Sequence, residues 1–136
     1  MPVKPGEIAS VDEFRSIHRD FYKGIYVPAG TDIAASIRFR PRGNEEWGYA
    51  DHWLVEGRSL DYTGQGGPPA DQTWNRFNLG LKLASNSGSP IHVFEELSTS
   101  PQTYRYWGEW IVSRWYEHFD PRQGRTLLRF VVEVPD

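Results

Sequence analysis

The chain has 136 residues, enough for one domain with a core of its own, and no cysteine, which excludes disulfides and thiolate metal sites. Its formal net charge of −3 and pI near 5.8 argue against coating nucleic acid by charge alone, and no apolar run approaches the length of a membrane span. The N-terminal Met1-Pro2-Val3-Lys4-Pro5 lacks the apolar core of a signal peptide, so the chain reads as a soluble, cytoplasmic protein forming a single domain over residues 1–136.

The cations are unusual in kind: of fifteen, only Lys4, Lys23 and Lys82 are lysine, and the rest are arginine. That bias favours planar, bidentate recognition of phosphates or carboxylates over diffuse attraction. Six tryptophans and seven tyrosines supply a core and flat faces enough to line a groove as well.

In chain order, Ser10-Val11-Asp12-Glu13 has the form of a capping box, and Val11, Phe14, Ile17 and Phe21 follow at helical spacing, predicting a helix over 11–22. His18, on its later turns, reads as a satisfied histidine rather than a chemical group. Lys23 to Thr31 contains Gly24, Pro28 and Gly30 and reads as a loop whose bulky members are Tyr26 and Val27. Residues 33–40 alternate as a strand, Ile37 and Phe39 on one face, Arg38 and Arg40 on the other, with Arg42 just past Pro41. The three arginines form either a solvated face or a phosphate-contacting stripe.

Trp47-Gly48-Tyr49-Ala50-Asp51-His52-Trp53 is dense in side chains that stack or hydrogen-bond, and Glu56-Gly57 turns the chain into a strand ending at Tyr62. The next residues, Thr63-Gly64-Gln65-Gly66-Gly67, form a glycine-rich loop. Glycines lack the Cβ that would hold a ligand off, so amides here lie within reach of a base or phosphate, and Tyr62 offers a stacking face beside them. Asp71 is placed to cap a helix over 72–86, with Trp74, Phe77, Leu81 and Ala84 as its apolar stripe and Asn78 at the border as a surface or local structural residue.

Residues 91–94 alternate as a strand, 97–103 form a polar loop, and 104–115 read as a long curved strand. That strand carries Tyr106, Gly108, Trp110 and Val112 on one side, and Trp107, Glu109 and Ile111 on the other. A turn at 121–124 leads into a last strand over 126–134. Two helices among five to seven strands, without a βαβα rhythm, predict an α+β domain built on a strongly curved antiparallel sheet or open barrel.

Cleavage chemistry is missing. No acidic residue stands two before any lysine, as a common metal-dependent nuclease site requires, and His18, His52, His92 and His118 are scattered without zinc spacing. A serine nucleophile elbow is absent. Asp51 with His52, or Glu117 with His118, would be acid–base neighbours only across opposite faces of a strand. The expectation is a binding protein, not an enzyme, with no cofactor and no metal.

Taken together, Tyr62-Thr63-Gly64-Gln65-Gly66-Gly67, then Asp71-Gln72 with Asn78, then Tyr106-Trp107-Gly108, resemble the SRA or YDG domain, a family of SRA-like, PUA-like open barrels. The string Arg15, His18, Gly24 and Gly48-Tyr49-Ala50-Asp51-His52-Trp53 is similar to bacterial members found beside HNH nuclease modules. The resemblance runs from Arg15 to Val134 and implies recognition of double-stranded DNA containing 5-methylcytosine, with the base flipped from the duplex into a pocket. On that basis Tyr49 and Tyr62 would sandwich the base, with Trp53 as rival stacking partner, Asp51 would take the cytosine amino group, and Thr63 and Gly64 would leave a recess for the methyl. Register against other members leaves His52 as the alternative to Asp51.

Arg38, Arg40 and Arg42, with Gln65 and Gly66, would hold the duplex, helped by Arg105 or Arg114. Either Tyr26-Val27 or the turn at Arg42-Gly43 would fill the gap in the stack. The YDG signature reads Tyr106-Trp107-Gly108 here, which leaves it a structural motif. Only Pro68-Pro69-Ala70 separates Gly67 from Asp71, too short for the finger that reads the rest of a CpG site, so little dependence on flanking sequence is implied. The resemblance also implies a nucleoid-associated location and a nuclease encoded elsewhere as partner. Other modified bases, a modified backbone, an enzyme on modified nucleotides and RNA binding stay open as alternatives.

Overall fold

The structure is a computed structural model that describes residues 3–20, 23–40, 51–99 and 101–135. Among them, β1 (Ile8–Ala9), α1 (Val11–Ile17), β2 (Ile25–Tyr26), β3 (Ser36–Phe39), β4 (His52–Val55), β5 (Ser59–Thr63), α2 (Arg76–Ser87), β6 (Ile91–Thr99), β7 (Gln102–Asp120) and β8 (Arg125–Glu133) follow in order. The strands form one eight-stranded sheet in the order β2-β3-β6-β7-β8-β5-β4, with β1 paired to β7.

The sheet is mixed where an antiparallel one is expected. β3 runs parallel to β6, Ser36 beside His92 and Phe39 beside Glu95, while the other pairings are antiparallel. A parallel neighbour requires a crossover, and β4, β5 and α2 lie in the chain between these two strands. The sheet does not close into a barrel, since β2 and β4 end the order.

Curvature comes from β7. Its first half pairs with β6 and its second half with β8, and the register shifts at both Trp107 and Ser113. Each extra residue bends the strand and increases its twist. Tyr106, Trp110 and Val112 are buried on the face predicted for them. Gly108 sits between them at φ 102, with Pro5 packed over it. The 97–103 stretch is not a loop: β6 runs on to Thr99 and β7 starts at Gln102.

The main core gathers Ile25, Ile37, Phe39, Leu60, Leu81, Ile91, Val93, Phe130 and Val132 between the sheet and α2. A second cluster lies under α1, where Phe14 stacks on Tyr104 with centroids 3.9 Å apart and meets Phe94 edge-on. A seven-residue helix has little stability of its own, so this packing and its cap hold it. Ser10 and Glu13 exchange both capping-box bonds, at 3.1 and 2.9 Å. α1 ends at Ile17, short of the expected 22, because His18 turns inward: fully buried, it bonds Ser36 Oγ at 2.7 Å and the Lys23 carbonyl at 2.6 Å.

The second helix starts later than expected. Asn75 is its N-cap, accepting from Phe77 and Asn78. Asp71 and Gln72 are held instead by β8: Asp71 accepts from the Thr126 amide, and Gln72 accepts from the Leu128 amide through Oε1. No helix among the described residues is long and apolar enough to cross a membrane.

Candidate nucleic-acid interface

A cavity of about 320 Å³ opens where β5 runs into the glycine loop. One wall is Asp51, Tyr62, Thr63, Gly64, Gln65 and Gly66, and the other is Lys23, Gly24, Arg38, Phe39, Arg40 and Glu96. The parallel β3–β6 pairing therefore builds the site: it carries Arg38 and Arg40 on β3 and its end, and Glu96 on β6, to face residues of β5.

Asp51 is 9% exposed, and its Oδ1 accepts the Thr63 N–H at 2.8 Å. Burial pushes the Asp51 carboxyl up to about 8, against the opposing pull of the Thr63 and Arg40 amides and of Arg129. The carboxyl is thus mostly neutral at pH 7. His52, the alternative in register, points away from the cavity, with Nε2 3.9 Å from Asp61. Thr63 Oγ1 is buried without a hydrogen-bond partner among the described residues. A buried hydroxyl on a cavity wall with no partner is unusual and suits a polar ligand.

Tyr62 is 4% exposed, belongs to the core and lines the cavity. Its hydroxyl crosses Gly24, where an added Cβ would lie 2.7 Å from that oxygen. Only glycine leaves the ring this position. Trp53 is placed otherwise than expected for a stacking partner: it meets Phe39 edge-on at 5.1 Å and Trp107 at 5.3 Å, and is not on the cavity wall.

The glycine loop is held from behind by three residues. Asn78, fully buried, accepts the Gln65 N–H at 2.8 Å and donates Nδ2 to the carbonyls of Gln65 and Thr73 at 2.9 and 2.8 Å. Gln72 donates to the carbonyls of Gly64 and Gly66, and Arg125 donates to the Gly66 carbonyl at 2.7 Å. Gly64 admits this clamp, since a Cβ there would stand 2.7 Å from Asn78 Oδ1. The expectation that amides of Thr63–Gly66 reach a ligand is corrected for Thr63, Gly64 and Gln65. Thr63 N–H goes to Asp51, Gly64 N–H to the Leu128 carbonyl at 2.7 Å, and Gln65 N–H to Asn78. These amides shape the wall rather than contact a guest.

The sequence pattern puts Asn78 at the border of the apolar stripe and Gln72 in the first turn of the helix; in the structure Asn78 sits buried behind the loop and Gln72 lies before the helix, bonded to β8. A buried network behind the wall was not anticipated either. Arg129 Nε lies 2.9 Å from Asp61 Oδ1, Tyr116 donates to Asp61 Oδ2, and His52 Nδ1 is 3.4 Å from the Arg129 guanidinium.

Of the cationic candidates, Arg38 and Arg40 share the cavity rim, joined by Lys23. Arg40 Nε is 3.1 Å from Glu96 Oε1, an ion pair too poorly aligned to count as a hydrogen bond, with Arg40 half exposed. Arg105 is turned elsewhere, bonding the Gly6 carbonyl at 2.6 Å. Arg114 lies over the Tyr116 ring. Val27 is buried in the core and is not available to fill a gap in a duplex, while Tyr26 rests half-buried against His18. Tyr49, Arg42 and Gly43 lie outside the described residues. No group of three acidic or histidine side chains that could hold a metal occurs among the described residues.

No curated protein matches the chain. Solved structures do. The SUVH5 SRA domain in complex with methylated CHH DNA is 29% identical with a TM-score of 0.77, covering 98% of this chain and 89% of that one. The same domain with hemi-methylated CG DNA gives 28% and 0.78 at the same coverage. Bound to fully hydroxymethylated CG DNA it gives 30% and 0.77, again at that coverage. SUVH6 of Arabidopsis thaliana, at 23% identity and TM-score 0.70, shares the fold over 98% of this chain and 26% of its own. The family model described as the SAD/SRA domain matches residues 12–135, nearly the whole chain, and the chain therefore belongs to the SAD/SRA domain family.

Proposed function

We propose that this domain binds DNA containing 5-methylcytosine by taking the flipped base into the cavity between Asp51 and Tyr62. The observation that carries the reading is one wall holding three things together: a flat ring, a buried carboxyl and a buried hydroxyl with no partner among the described residues, at Tyr62, Asp51 and Thr63. A flipped cytosine needs a stacking face and an acceptor for its amino group. Tyr62 supplies one face, and Tyr49 is proposed for the other. Stacking contributes about 1–3 kcal/mol per face, which offsets the few kcal/mol spent on unstacking.

The buried methyl adds only about 0.8 kcal/mol, so preference over plain cytosine depends on how tightly the recess fits. Lys23, Arg38 and Arg40 on the opposite rim would contact phosphates. The SUVH5 complexes with CHH and CG DNA support a reading without strict context, and the short Pro68-Pro69-Ala70 link agrees with it. In this reading the domain is not an enzyme, and a separately encoded nuclease would supply any cleavage.

The test is binding to one duplex with a single 5-methylcytosine and to its unmethylated twin, at one fixed salt concentration, with Asp51→Ala and Tyr62→Ala alongside. A preference for the methylated duplex that both variants lose supports the pocket; equal binding by all sinks it. Thr63 Oγ1, without a partner among the described residues, favours a second reading, 5-hydroxymethylcytosine, whose hydroxyl would pair with it. The SUVH5 complex with hydroxymethylated CG DNA is in keeping. Competition between the two modified duplexes decides between them.

A further inference from the structure

Glu96 lines the cavity with its side chain only 8% exposed, and its Oε1 has no hydrogen-bond partner among the described residues. An acidic side chain is rarely buried unless paired, and on the wall of a cavity that receives a polyanion it would repel the guest. Its place there needs a reason.

The ion pair with Arg40 supplies one. Arg40 and Glu96 come one step after Phe39 and Glu95, the last pair of the parallel β3–β6 ladder, so their contact extends that ladder across the rim. Arg40 is tied at two points: its backbone N–H donates to the Asp51 carboxyl, and its Nε lies 3.1 Å from Glu96 Oε1. Glu96 is sealed in while the Arg40 side chain is 53% exposed, so an incoming phosphate meets the arginine first. A guanidinium can serve two anions at once. Nε faces Glu96, which leaves the two terminal nitrogens, the pair that forms a fork on a phosphate.

Resting on the reading of the cavity as a DNA pocket, we propose that Glu96 is a positioning residue: it fixes the Arg40 guanidinium by its Nε edge so that the terminal nitrogens grip a phosphate beside the flipped nucleotide. The backbone tie to Asp51 then sets that phosphate contact at a fixed distance from the base pocket. Lysine could not take the place of Arg40, since one compact ammonium would go either to Glu96 or to the phosphate.

The experiment measures affinity for a duplex with one 5-methylcytosine over a series of salt concentrations, using wild type, Glu96→Gln, Glu96→Ala, Arg40→Ala and the double variant Arg40→Ala/Glu96→Ala, with folding checked by circular dichroism. Glu96→Gln keeps an oxygen for Nε and is expected to bind within about threefold of wild type with the same salt dependence. Glu96→Ala and Arg40→Ala are each expected to bind about tenfold more weakly, the scale of a lost charge-assisted contact. Each is also expected to flatten the plot of log affinity against log salt by about one unit of slope, the mark of one lost phosphate contact. The double variant is expected to be no weaker than Arg40→Ala alone, because Glu96 acts through that arginine.

Tighter binding by Glu96→Ala would show a carboxylate that merely repels DNA, and weaker binding with an unchanged salt slope one that only supports the fold. Either result overturns the proposal, as does a double variant in which the two losses add. Where Glu96→Ala does not fold, Arg40→Ala decides, and full affinity with a full slope in that variant overturns it. Equal binding of the methylated and plain duplexes by wild type overturns the pocket reading instead, a distinct result.

Discussion

Replacing Asn78 by alanine tests whether the glycine loop is held from behind. The side chain is fully buried, and its amide serves three backbone groups, the Gln65 N–H, the Gln65 carbonyl and the Thr73 carbonyl, at 2.8, 2.9 and 2.8 Å. An unpaired buried polar group costs about 1–3 kcal/mol. Gln65 is only partly buried, so water can repay some of the loss. The expected cost is about 3 kcal/mol in a urea titration, or roughly 10 °C in melting temperature for a domain of this size. Asn78→Asp separates this account from simple cavity formation. It keeps the volume and the acceptor for Gln65 N–H but turns a second oxygen on two carbonyls, so it is expected to lose as much as alanine does. Both variants, where still folded, are expected to bind the methylated duplex at least about tenfold more weakly, because the wall carrying Thr63 and Gly64 shifts. An alanine variant losing less than about 1 kcal/mol, or an aspartate variant like wild type, refutes the reasoning.

Other outcomes follow from the same geometry. Gly24→Ala is expected to weaken methylated-DNA binding about tenfold by pressing on the Tyr62 hydroxyl, and the added change Tyr62→Phe, which removes that oxygen, is expected to restore most of it. Arg129→Met leaves the Asp61 carboxylate buried and is expected to cost about 3 kcal/mol by urea titration, whereas the double variant with Asp61→Leu costs less. The two largest pH effects on stability come from Asp51 and His18, with half-buried His92, lowered by burial, adding to that of His18. Asp51, raised to about 8, contributes stability that is lost as pH rises through 8, and His18, lowered to about 4 mainly by burial, contributes stability that is lost as pH falls from 6.5 through 4. From pH 8 to 6.5 Asp51 dominates, so stability is expected to rise by roughly 2 kcal/mol; from 6.5 to 4 the lowered histidines His18 and His92 oppose it and the rise stops. Asp51→Asn should remove the rise.

Local pattern carried much of this into the sequence. The capping box at Ser10 and Glu13, the alternation of β7 and the position of the glycine loop beside Tyr62 each depend on residues near one another in the chain, and each is found. What was not legible is set by partners far away. Asp71 has the chemistry of a cap, but Thr126 claims it, and the cap falls to Asn75. The parallel partner of β3 is β6, and nothing in residues 36–39 names it. Asp51 reads as a candidate from its neighbours, but its neutral state follows from a depth of burial that only the folded sheet creates. The Asp61–Arg129 pair was missed because charged residues within strands read as solvent-facing, while here both are buried against each other.

The parallel β3–β6 ladder also orders events in time. β6, β7 and β8 follow one another as antiparallel neighbours through short turns, so their contacts form at little loop-closure cost. β3 must wait for a partner that lies beyond β4, β5 and α2, and its ladder with β6 spans only four residue pairs. The rim bearing Arg38 and Arg40 is therefore expected to be the slowest part to gather, and the burial of Ile37 and Phe39 in the main core is completed only when it does.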